Sequence, residues 1–172
     1  MLSLERYSGT ELRWFRSGLM SKMHELVDDN GATYAKLTVE GVLTSHARLE
    51  TGLKQYMLTW SGLIRRRIKI IDLDAGQQLG ELYLGVTDAG EFRLDGRTFK
   101  FDHDLLGSVY TVSDEQGNTV FSIKDRILGG KGLLVTLGPD ARTIRELLLL
   151  ICTARYAMIM FWQEAFVVPA TA

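Results

Sequence analysis

The segment from Ile144 to Trp162, Ile-Arg-Glu-Leu-Leu-Leu-Leu-Ile-Cys-Thr-Ala-Arg-Tyr-Ala-Met-Ile-Met-Phe-Trp, is helix-length and apolar all round its axis. Leu147 to Ile151 place large aliphatic side chains on successive steps of about 100°. Tyr156 to Trp162 repeat the pattern further along, so no rotation of such a helix leaves a wet face. In 172 residues only two arrangements cover it: a membrane, or a shell built from the rest of the chain. Thr143 followed by Glu146 has the spacing of a capping box, which predicts a helix over 143–162 and a tail over 163–172.

The rest of the chain reads as short strands. After a loose start over 1–9, Thr10 to Val27 reads as two strands broken at Ser17-Gly18, and Asp28-Asp-Asn-Gly31 carries the Asn-Gly hairpin signal. Val42 to Trp60 supplies two more strands. Ile64, Ile68 and Ile70 then flank basic residues before a turn at Asp72 to Gly76, and Gly129-Gly130 precede the last strand, Leu133 to Leu137. The clearest hairpin is Phe92 to Phe101 with Asp95-Gly96 at its tip: Phe92 and Leu94 face Phe99 and Phe101, while Arg93, Arg97 and Lys100 stay out. Three units share one grammar, an acidic turn ending in Gly with apolar residues three and six positions later. They are Asp28 to Gly31 with Tyr34 and Leu37, Asp74 to Gly76 with Leu79 and Leu82, and Asp114 to Gly117 with Val120 and Ile123. Hairpins in series predict a mainly β (α+β) single domain over 1–172, an up-and-down antiparallel barrel over 10–138 that closes its own edges. Such a barrel has an inside for the terminal helix, with Leu147, Leu148, Ile151 and Ile159 as core and Arg155 in need of a partner.

Composition narrows function more than it identifies it. A net charge of -1 excludes general nucleic-acid binding by phosphate attraction. The single Cys152 excludes an internal disulfide and, within the apolar helix, reads as a small buried hydrophobe. Met1 to Tyr34 shows no signal-peptide pattern, so a cytoplasmic location is expected. His24, His46 and His103 are scattered, and neither a nucleophile elbow, a phosphate loop nor a Cys-x-x-Cys pair is present. No enzyme activity, cofactor or metal is expected; Asp72-Leu-Asp74 and Asp102-His-Asp104 read as turns, without the ligand series of a calcium loop. The densest basic cluster is Arg65-Arg66-Arg67 with Lys69. Strand alternation sends Arg65, Arg67 and Lys69 to one side, and each cation is worth about 1 kcal/mol near an anionic membrane, which makes the four residues the candidate headgroup site. Crossing a membrane stays open for the helix: a central Arg155 costs roughly 2.5–3.5 kcal/mol, which its leucines and isoleucines return at about 0.3–0.6 each.

Three stretches, Ile70 to Leu82, Tyr110 to Phe121 and Thr143 to Trp162, together resemble the tubby C-terminal-like superfamily, which includes tubby-like proteins, phospholipid scramblases and LURP-one-related proteins. The resemblance implies a closed barrel of about twelve strands around a central hydrophobic C-terminal helix. It also implies a non-enzymatic, membrane-proximal protein whose partner is an anionic phospholipid or membrane surface. Tubby proteins hold phosphoinositide headgroups with surface Lys and Arg, while scramblases are associated with calcium and lipid movement. The alternatives are a soluble scaffold with a protein partner and no lipid affinity, or a membrane-inserted C-terminal helix with scramblase-like association.

Overall fold

The computed structural model describes residues 1–2, 4, 7–16, 22–40, 46–52, 54–62, 65–104, 108–125 and 132–167, with backbone alone at 125 and 164–167. Ser17-Gly18, Ile64, Gly129-Gly130 and the tail beyond 167 lie outside the described residues. Twelve strands alternate in direction: β1 (Glu11–Arg16), β2 (Met23–Val27), β3 (Thr33–Glu40), β4 (His46–Thr51), β5 (Gln55–Ser61), β6 (Arg66–Asp72), β7 (Gln77–Leu84), β8 (Gly90–Leu94), β9 (Arg97–His103), β10 (Val109–Ser113), β11 (Thr119–Asp125) and β12 (Leu133–Leu137). Each pairs antiparallel with its sequence neighbours, and β12 returns to pair with β1, so the barrel is closed. One helix, α1 (Leu147–Val167), follows.

Period-two burial explains the strands. Leu12 and Trp14 on β1, Leu58 and Trp60 on β5, and Ile68 and Ile70 on β6 are buried, and they join one hydrophobic cluster that also takes in α1. The β8–β9 hairpin forms as its sequence dictates. Asp95 and Gly96 take φ of 51° and 73°, the two left-handed residues of a tight turn, and Phe92 pairs with Phe99. One detail differs from expectation: Arg97 pairs with Leu94 and so belongs to the row of buried side chains. It stays exposed because it starts its strand, with its guanidinium 5.1 Å from the Phe99 ring.

The three repeated turns share a mechanism. Asp28 Oδ1 accepts hydrogen bonds from the Asn30 and Ala32 amides, and Asp114 Oδ1 from those of Gln116 and Asn118. In the middle unit the acceptor is Asp72 rather than Asp74, its Oδ1 holding the Asp74 and Ala75 amides. Each turn closes on a glycine with positive φ: Gly31 at 79°, Gly76 at 65° and Gly117 at 86°. The pairing then slips by one residue beside Tyr34, Leu79 and Val120, so each lies in a β-bulge. A spacing of three cannot keep two residues on one face of a regular strand; the extra residue is what lets Tyr34 and Leu37, or Val120 and Ile123, both be buried.

The helix begins later and ends later than the sequence predicts. Ala141–Thr143 is a separate 3-10 turn, Thr143 Oγ1 donates to the Asp140 carbonyl, and Ile144 is extended. No capping box forms, because Thr143 ends the 3-10 turn and the extended Ile144 separates it from the start of α1 at Leu147. From Leu150 to Ala154, and at Tyr156 and Ala157, α1 is fully buried, whereas Leu148, Arg155 and Ile159 are half-buried and Trp162 is 53% exposed. These four residues share one face at helical spacing, so the helix does have an edge near water. No helix among the described residues is long and apolar enough to cross a membrane.

Candidate functional site

Because the strands alternate, the five hairpin turns after β2, β4, β6, β8 and β10 gather at one end of the barrel. Their described residues carry Asp28, Asp29, Asp74, Asp95, Asp114 and Glu115 against the single cation Lys54. Lys54 Nζ reaches the buried Asp72 carboxylate at 2.9 Å and holds its pKa below the usual range, assisted by the Ala75 amide. The opposite rim has the later turns of α1: the Phe161 ring meets Trp60 edge-on at 6.0 Å and lies nearly parallel to Tyr110 at 6.4 Å.

The four candidate cations separate into two environments. Arg66, the first residue of β6, faces the buried side at this rim. Its Nη2 donates to the Gly85 carbonyl at 2.6 Å and to the Asp88 carboxylate, and its guanidinium lies 5.4 Å from the Phe161 ring. A 12% exposed side chain in that setting is a structural clasp. Arg65 is exposed beside it, and Arg67 and Lys69 stand on the outer wall of β6, with Arg67 Nε donating to Ser61 Oγ at 3.3 Å. Among the described residues none of these three has a carboxylate within ion-pair distance. Cations on other strands are neutralised: Arg93 on β8 pairs with Glu91 at 2.7 Å, Lys36 on β3 with Glu25 at 3.1 Å and Arg48 on β4 with Glu40 at 3.4 Å. Glu81, opposite Lys69 in register, accepts from the Tyr83 hydroxyl.

Sequence reasoning missed the β7–β8 connection, Gly85 to Ala89. The clasp from Arg66 fixes two of its residues. On its other side His103 Nε2 meets the Thr87 carbonyl and Nδ1 the Asp104 carbonyl, both at 2.7 Å. Carbonyls only accept, so this geometry requires both ring nitrogens to donate; the Asp104 and then the Thr87 carbonyl accordingly raise the His103 pKa. The connection is held from both sides while Val86 is 86% exposed. A signal for this existed only in space, since Arg66, Val86 and His103 lie on three different strands or connections.

The partner that Arg155 required includes a histidine. Arg155 Nη2 donates to His24 Nδ1 at 3.3 Å, and His24, 8% exposed, sits opposite Arg16 in the β1–β2 register. Burial first, then Arg155 and Arg16, lower the His24 pKa to about 4. Between about pH 6.5 and 4 the unfolded chain protonates at this position and the folded one does not, so stability falls as pH falls through that window. The loss amounts to roughly 1–2 kcal/mol once solvent screening is allowed for. Melting curves of the native protein and His24→Gln should therefore converge in slope above pH 6.5 and diverge below it, the variant losing less. His103 acts with the opposite sign: its contribution is complete below about pH 6.5 and disappears as pH rises through its raised pKa.

Cys152 is fully buried, and burial pushes its thiol pKa up, as expected of a packing residue. Among the described residues no group of three or more His, Cys, Asp or Glu is placed to hold a metal ion. Comparison of the chain with family models, with characterised proteins and with solved structures gives no match.

Proposed function

We propose that this protein is a non-enzymatic barrel, with α1 as its central core, whose outer wall binds anionic phospholipid headgroups through Arg65, Arg67 and Lys69. The observation that carries the reading is the run itself: Arg65, Arg67 and Lys69 stand at every second position and lack carboxylate partners among the described residues, while Arg66 between them is paired with Asp88. Unneutralised cations on adjacent outer positions of one strand suit phosphate groups lying in a plane. The resemblance to the tubby superfamily points the same way, toward a membrane-proximal protein in the cytoplasm. A central α1 is supported by its full burial over Leu150 to Ala154 and by its packing against β3, β5 and β6.

Sedimentation with vesicles of phosphatidylcholine and phosphatidylserine tests the headgroup reading. Changing Arg65, Arg67 and Lys69 together to Gln removes about 1 kcal/mol per cation, so the partition coefficient should fall about 100-fold. Raising the salt concentration should weaken native binding in the same direction. Unchanged binding by the triple variant, or no binding by the native protein, overturns the assignment; a protein partner captured without lipid affinity favours the scaffold alternative.

A further inference from the structure

We infer that the rim where Phe161 and Trp162 lie is the face that meets an anionic phospholipid bilayer, with Val86 and Trp162 entering its interfacial layer and the acidic turns pointing away. This inference rests on the headgroup reading above and adds an orientation and two anchors. The first observation is the construction of the β7–β8 connection. Gly85 N donates to the Ala89 carbonyl at 2.7 Å, Arg66 takes the Gly85 carbonyl and the Asp88 carboxylate, and His103 takes the Thr87 carbonyl. These contacts direct the Gly85 and Thr87 carbonyls and the Asp88 carboxylate back to the barrel, and the side chains left at the surface are Thr87 and the 86% exposed Val86. A fixed connection that shows one apolar side chain costs little further ordering when that side chain is buried elsewhere.

The second observation is Trp162. It is 53% exposed and adjacent in sequence to Phe161, which the Arg66 guanidinium covers, so the clasp joins Val86 and Trp162 into one rim. An indole with an apolar body and one N–H donor suits the boundary between headgroups and acyl chains. Charge sets the direction. At this rim Asp88 is neutralised by Arg66, Asp104 is hydrogen-bonded by the Ser108 amide and hydroxyl, Arg65 stands unpaired by carboxylates, and the doubly hydrogen-bonded His103 favours its cationic form. On the far end's turns Asp28 is buried and Asp29 is paired with Arg13, which leaves Asp74, Asp95, Asp114 and Glu115 displayed with Lys54, an arrangement that a negatively charged surface repels. A membrane therefore orients the barrel as well as attracting it.

Trp162 makes the test direct, because Trp14 and Trp60 are 2% and 7% exposed. Vesicles of phosphatidylcholine and phosphatidylserine containing brominated acyl chains should quench the fluorescence of sedimented native protein. Trp162→Phe should remove that quenching while the variant still sediments, and Val86→Asp should lower sedimentation about tenfold by placing a charge at the interface. Far-ultraviolet circular dichroism checks that both surface variants keep the barrel. Protein that sediments without quenching, or Val86→Asp with native affinity, overturns the rim orientation and leaves the wall reading standing. Failure of the native protein to sediment overturns both.

Discussion

Ile151→Asp is expected to give no folded protein. Ile151 is fully buried, with the fully buried Leu150 and Cys152 on either side of it in α1. A carboxylate there has no route to water, and Arg155, one turn further on, is already held against His24, so burying the charge costs several kcal/mol against a total stability of about 5–15. The matched control is Leu148→Asp, three residues earlier on the half-buried edge, where the carboxylate reaches solvent and the expected loss is about 1–2 kcal/mol. Near-ultraviolet circular dichroism and soluble yield of the two variants separate them. If Ile151→Asp retains a cooperative melt like that of Leu148→Asp, α1 is not part of the core.

Gly132→Ala should be the most damaging of the small glycine substitutions at the barrel seam. Gly132 has φ of 75°, and a Cβ built on it overlaps the Trp14 carbonyl oxygen, a backbone atom that cannot rotate away. It precedes β12 where that strand approaches β1, so any shift is passed to the pairs Trp14 with Leu133 and Leu12 with Val135 that close the barrel. The left-handed backbone alone costs about 1–2 kcal/mol, and the displaced seam should bring the loss to about 3 or more. Gly76→Ala isolates the first contribution, since Gly76 has φ of 65° and open space around its would-be Cβ. Urea unfolding of the two variants should therefore differ by at least 1 kcal/mol; equal losses would assign the whole effect to backbone conformation.

The strands and their serial pairing were legible because hairpin chemistry is local. Asp95-Gly96 and Asp28 to Gly31 announce their turns within four residues, and Phe92 and Phe99 meet at the register that the turn imposes. The bulges were visible in disguise, as a spacing of three that no flat strand explains, at Tyr34, Leu79 and Val120. The start of α1 was misread because Thr143 to Glu146 satisfies a local capping rule, yet Thr143 closes a 3-10 turn against Asp140 instead. The candidate site was legible only as composition. That Arg66 belongs to a clasp, apart from Arg65 and Arg67, depends on Gly85, Asp88 and Phe161, which strand alternation alone does not bring to it. The His24 contact to Arg155 likewise joins the second strand to the terminal helix, a pairing that no sequence spacing encodes.

The closed seam also sets a timetable for the chain as it is made. Leu12 waits for Val135 before β1 has its second neighbour, and the buried residues of α1 that join the same hydrophobic cluster come later still, from Leu147 on. Until then a growing chain carries two unpaired strand edges and a sheet with one greasy side, the combination that invites association with other chains. Pairing so distant along the chain is slow by nature. Closure is therefore a late event in folding, and a variant that loosens the β1–β12 seam lengthens the time for which those two edges stay open to other chains.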